Sequence, residues 1–120
     1  MTKTLNTQIN LEAKAAIFTG AMVEGTILLG DLGVEFHYKN PRMGKDLFYP
    51  WNQIRQAVAS VSPLGKIGQQ FSLVITAQND VHFVAKNSGA ILKEISEHIG
   101  KENVVRSKSL LDLFTRPFKN

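Results

Sequence analysis

Cysteine is absent from the chain, which excludes a disulfide framework, a thiol nucleophile and a thiolate metal site. Long apolar runs are missing as well: no stretch approaches the roughly 20 residues needed to span a bilayer. The opening residues Met1-Thr2-Lys3-Thr4-Leu5-Asn6 lack the apolar centre of a secretory signal, so a cytoplasmic location is expected. No G-x-S-x-G elbow occurs, and Gly65-Lys66-Ile67-Gly68 precedes a strand-like run rather than a helix. Acyl-enzyme and phosphate-loop chemistry therefore have no visible carrier. Charge of one sign is only mildly in excess. The 14 basic and 10 acidic residues give a net charge of +4, but they are interspersed, as on a solvated mixed surface. No cofactor is implied.

What is present is an ordered series of short strand patterns followed by one helix. The 120 residues, 43% apolar and 20% charged, are enough for one domain with a real core. Strand-like stretches run over Ile9–Phe18, Gly25–Leu29, Val34–Tyr38, Leu47–Tyr49, Arg55–Val61, Gln70–Thr76 and Val81–Ala85. In the first, Ile9, Leu11, Ala13, Ala15 and Ile17 share one face, the period-2 signature of a half-buried strand. In the third, Val34, Phe36 and Tyr38 point one way and Glu35 and His37 the other. Gly30-Asp31-Leu32-Gly33 reads as a tight hairpin in which glycine supplies positive φ.

The helix is predicted from Ser88 to Ile99, capped by Asn87 or Ser88 and stopped by Gly100. Its Ile91, Leu92, Ile95 and Ile99 form one apolar stripe. Trp51 and Ile54, three residues apart after Pro50, suit a single helical turn that plugs an open end of the sheet. A second short helix is expected in the tail, where Ser109 and Asp112 match a capping box ahead of Leu113, Phe114 and Phe118. The chain thus divides into an N-terminal arm (1–8), a strand-and-helix domain (9–100) and an amphipathic tail (101–120). The fold class is mainly β: about seven antiparallel strands in a half-barrel closed by the helix.

Three sets of residues could carry function. Lys39, Arg42 and Lys45 on one loop and Lys66 on another could converge into a cationic rim for acidic partner segments or lipid headgroups. Leu110, Leu111, Phe114, Arg116 and Phe118 could pack on the body, on a second copy of the chain, or on a membrane surface. Glu35, His37 and His82 could form a carboxylate–imidazole cluster for metal or acid–base chemistry, although no ligand spacing of a recognised kind supports it. Surface histidines are the simpler explanation, and His98 suits the C-terminal end of the helix dipole.

Seven strands plus a terminal helix resembles the pleckstrin-homology superfold, especially its GRAM-like bacterial branch. Gly33-Val34-Glu35-Phe36-His37-Tyr38 and Tyr49-Pro50-Trp51-Asn52-Gln53-Ile54 look like that branch's strand, loop and plug. A narrower resemblance rests on several segments: Asn6-Thr7, Pro50-Trp51, Val58-Ala59-Ser60-Val61, Gly65-Lys66, Ala85-Lys86-Asn87, and Glu102-Asn103-Val104-Val105-Arg106-Ser107 with Asp112. These resemble an uncharacterised bacterial family encoded beside mannose-type sugar phosphotransferase genes, sometimes called ManO or mannose operon regulator proteins. The resemblance implies an accessory or regulatory role for a membrane sugar transporter, with no catalytic residues to carry over. A non-enzymatic interaction module is the leading expectation. Its expected partners are transporter subunits, a membrane surface, or a second copy through the tail. The alternative is a transcriptional modulator of the sugar operon, which needs a basic stripe and a DNA-reading helix. No helix-turn-helix is evident, so nucleic acid is disfavoured.

Overall fold

A computed structural model, which describes residues 5–107, shows a mainly β architecture of one eight-stranded sheet and one helix. The strands are β1 (Ile9–Phe18), β2 (Met22–Gly30), β3 (Gly33–Tyr38), β4 (Leu47–Pro50), β5 (Gln56–Val61), β6 (Ile67–Thr76), β7 (Asn79–Val84) and β8 (Val104–Ser107). The helix α1 spans Ser88–Ile99. The sheet runs β4-β3-β2-β1-β7-β6-β5-β8 and is not closed into a barrel. All neighbours are antiparallel except β5 and β8.

The alternation read from β1 has its counterpart in burial: Ala13, Ala15 and Ile17 are buried while Glu12, Lys14 and Phe18 face out. β2 supplies Ile27 and Leu29 to the same core, and β3 supplies Val34 and Phe36. At the centre Phe83 stacks on Phe71 at 5.4 Å and meets Phe36 at 5.7 Å. Such pairs contribute about 1 kcal/mol beyond their burial. α1, at 12 residues, is marginal as an isolated helix, so it depends on docking Ile91, Leu92 and Ile95 against the sheet. Each of these buried side chains contributes about 2 kcal/mol.

The helix bounds agree with the sequence, but its start does not use the expected cap. The Asn87 side chain makes no capping bond, and the Ser88 hydroxyl donates instead to the Gly68 carbonyl at 2.6 Å. Tertiary anchoring has replaced local capping. Gly100 takes φ 97° and stops the helix. Gly30 and Gly33 do not have positive φ. Their lack of a Cβ instead admits Asn6 and the Gln8 carbonyl beside Gly30, and the Tyr49 carbonyl beside Gly33.

Two further features of the sheet matter for the site. Val104–Ser107, assigned to the tail, is a strand of the sheet, parallel to β5 with Ala57 opposite Val104 and Ala59 opposite Arg106. Pairing to the β5 edge satisfies backbone groups that a free tail would leave to water. Second, β1 pairs with β2 along its length but with β7 only over Ala16–Phe18, opposite His82–Val84. A crevice therefore opens between the rest of β1 and the segment that follows β7.

The Trp51–Gln53 segment is a single 3-10 turn, with Ile54 buried just behind it. The Trp51 indole N–H donates to the Gly30 carbonyl at 2.9 Å, and its ring lies flat on His98 at 4.1 Å. His98 is held in turn by Glu94 at 3.0 Å, which also accepts from Asn10 Nδ2 at 3.0 Å. Glu94 is thus half-buried and tied to β1. Trp51→Ala is expected to lower stability by about 2 kcal/mol through lost packing and one lost hydrogen bond. Urea unfolding followed by circular dichroism checks it.

Candidate functional site

Glu35 does not face solvent: it is 1% exposed and carries the N-terminal segment. Its Oε2 accepts from the Leu5 amide at 3.1 Å, the Asn6 amide at 3.0 Å and Asn6 Nδ2 at 2.7 Å. Its Oε1 accepts from His37 Nε2 at 2.8 Å. Asn6, also buried, completes the clamp. Its Oδ1 accepts from the Leu32 and Gly33 amides at 2.7 and 2.8 Å, and its Nδ2 also donates to the Gly33 carbonyl at 3.1 Å. Outside it, Asp31 accepts from the Thr7 and Gln8 amides and the Thr7 hydroxyl. Burial pushes the Glu35 carboxyl up. The donors from Asn6, His37 and Leu5 outweigh it and hold the group below its ordinary value.

This arrangement answers the carboxylate–imidazole idea. Glu35 and His37 do meet, and Asp46 lies 3.8 Å from the same ring. His82 does not join them. Glu35 lies opposite Leu28, which lies opposite Glu12 on β1, whereas His82 lies opposite Phe18. Those two β1 positions are six residues apart, about 20 Å along a strand. Among the described residues no group of three or more His, Asp or Glu side chains is arranged to hold a metal ion.

The cationic rim is divided by the topology. Lys39, Arg42 and Lys45 leave the C-terminal end of β3, and Lys66 follows the C-terminal end of β5. β3 and β5 run in opposite directions within the sheet, so the two loops belong to opposite strand ends. Lys39 is near Glu24 at 3.7 Å, both largely exposed, and such a pair contributes little. Leu110, Leu111, Phe114, Arg116 and Phe118 lie outside the described residues.

Two grooves remain. The larger, about 790 Å³, occupies the crevice beside β1 and carries both signs of charge: Lys14, Glu24, His37, Lys39 and Lys86 line it. The smaller, about 280 Å³, lies between α1 and β8. Ala59, Leu92 and Val104 form its apolar floor, and Lys93, Lys101 and Arg106 stand on its rim. No carboxylate lines it. None of the three cations is in an ion pair among the described residues. Nothing local in the sequence signals this convergence, because Arg106 comes to the helix side only through the parallel pairing of β8.

A family model described as "Domain of unknown function (DUF956)" matches residues 1–118. No curated protein matches the chain. Among solved structures, the chain is similar to the crystal structure of the C-terminal domain of an unknown protein from Leishmania infantum. The TM-score is 0.59 at 10% identity, covering 73% of this chain and 84% of that one. At that identity the likeness concerns the fold alone. No helix among the described residues is long and apolar enough to cross a membrane.

Proposed function

We propose, for a chain that belongs to the DUF956 family of unknown function, a non-enzymatic interaction module on a pleckstrin-homology or GRAM-like scaffold. It serves a mannose-type sugar phosphotransferase system by binding an acidic surface of a partner. The observation that carries this reading is the small groove, with three cations around an apolar floor and no carboxylate among its lining. Charge of one sign over apolar surface is the arrangement that steers and then holds an acidic partner. The transporter context comes from the family resemblance of the Ala85-Lys86-Asn87 and Val104–Ser107 segments. The clamp supports the non-enzymatic reading, since Glu35 Oε2 holds the N-terminal segment and its Oε1 is taken up by the facing nitrogen of His37. A general base needs a free lone pair within reach of substrate.

Co-expression with the subunits of a mannose-type phosphotransferase transporter tests it. The tagged chain is expected to co-purify with at least one subunit at low salt and to lose it as salt rises. Recovery of no subunit, or of subunits of an unrelated sugar transporter just as readily, refutes the assignment.

A further inference from the structure

We propose that the chain's own residues 108–120 cover the outward face of the sheet, over a row of side chains that runs from β8 to β2. The proposal goes beyond the partner reading and does not depend on the groove between α1 and β8. Pairing register sets the row. Val105 stands opposite Val58, Val58 opposite Ser72, Ser72 opposite His82, His82 opposite Phe18 and Phe18 opposite Met22. Their sequence neighbours Val104, Ala57, Leu73, Phe83 and Ile17 belong to the core, so alternation turns the row to the other face. Val84 and Ala16, paired with each other, extend it on one side.

The outward positions of β1 change character along the strand. Asn10, Glu12 and Lys14 are polar, whereas Ala16 and Phe18 are apolar, and the change falls where pairing to β7 begins. The open face of an antiparallel sheet normally carries polar residues. Here Phe18 and Met22 are 38% and 45% exposed, Val58, Val84 and Val105 are half-buried, and the row holds no Lys, Arg, Asp or Glu. A continuous face of this kind marks a contact.

Position, reach and charge decide the occupant. β8 borders the row, and residues 108–120 follow it directly after Ser107. From β8 to Phe18 is four strand spacings, about 19 Å. Thirteen residues span that distance even at the rise of a helix, about 1.5 Å each. Leu110, Leu111, Leu113, Phe114 and Phe118 match the row in apolar character. The groove between α1 and β8 is a poor seat for them, because Lys93, Lys101 and Arg106 repel Lys108, Arg116 and Lys119. An anionic membrane finds no cation in the row. A second copy has to displace a segment tethered beside its site, at an effective concentration of about a millimolar.

The absence of cysteine makes the test direct: Thr115→Cys in the full chain accepts a single nitroxide label. Amide signals of Val58, Ser72, His82 and Phe18 are expected to lose most of their intensity, while those of Lys93 and Ser96 on α1 keep most of theirs. Adding Leu111→Asp with Phe114→Asp should restore the lost signals and leave those of α1 in place. Phe18→Asp should restore them from the other side of the contact. Loss centred on α1, loss at neither place, or loss at the row that survives both sets of substitutions overturns the proposal. So does loss seen only when labelled chains are mixed with isotope-enriched unlabelled ones, since the contact then lies between copies. A label that leaves the row untouched and enters phosphatidylglycerol vesicles overturns it in favour of a membrane.

Discussion

Asn6→Ala is expected to lower stability by about 4 kcal/mol, a large part of what a domain of this size possesses. One side chain is removed, but the Leu32 and Gly33 amides and the Gly33 carbonyl lose their partner, and the buried Glu35 carboxylate loses one of its four donors. Leaving buried amides and a carbonyl without partners costs their desolvation, and a weakened charge-assisted bond adds to it. Thr7→Ala, a short distance away on the exposed side, serves as a control with a small effect. Glu35→Gln is expected to be milder at neutral pH and more revealing in acid. A carboxyl whose value is lowered by folding contributes stability above its unfolded value and loses it as pH falls through the folded one. With 4.5 as the ordinary glutamate value, the loss begins just below that pH and continues downward. Asp31, lowered chiefly by the Thr7 hydroxyl, acts in the same sense. Urea midpoints taken from neutral pH into acid should fall steeply for the natural chain and less for Glu35→Gln. Equal slopes would remove Glu35 from the account.

Gly25→Val is expected to prevent folding at 37 °C, with the chain recovered mainly as aggregate. Gly25 lies inside β2, opposite Ala15 on one side and Tyr38 on the other. A Cβ there would fall 2.5 Å from Phe36 Cζ and 2.8 Å from Cε2, and against the His37 carbonyl. The ring cannot retreat, because Phe36 is fully buried, edge-on to Tyr38 at 5.2 Å and against Phe83. Overpacking of a filled core usually costs about 1–3 kcal/mol; here backbone is also in the way, so the upper end or beyond is expected. Phe36→Leu in the same chain should return part of the soluble fraction by freeing the space. A Gly25→Val chain with an unchanged melting temperature would show that the strand can shift.

Most of the sheet was readable because its signals are local. Ile9 to Ile17 alternate without interruption, and Ile91, Leu92 and Ile95 fall on one helical stripe, so β1 and α1 have the bounds the sequence implied. β8 was not readable. Val104 and Val105 stand among polar neighbours, and the partner that makes them a strand is far away in the sequence. Glu35 misled for a related reason. Alternation correctly placed it opposite Val34 and Phe36, but nothing local announces that Leu5 and Asn6 will cover that face. Side chains whose role depends on a distant segment carry their meaning in the partner. The rim of Lys39, Arg42, Lys45 and Lys66 failed likewise, since loop composition says nothing of strand direction.

The parallel seam between β5 and β8 also bears on synthesis. Val104 meets Ala57 only after 46 residues of intervening chain, whereas the β1–β4 meander is built from neighbours. Non-local pairings pay loop closure before they are rewarded, so they form late. A nascent chain can fold its first half while still leaving the ribosome. The β5 border must wait until residue 107 has cleared the exit tunnel, and until then it is the part most exposed to pairing with the wrong molecule.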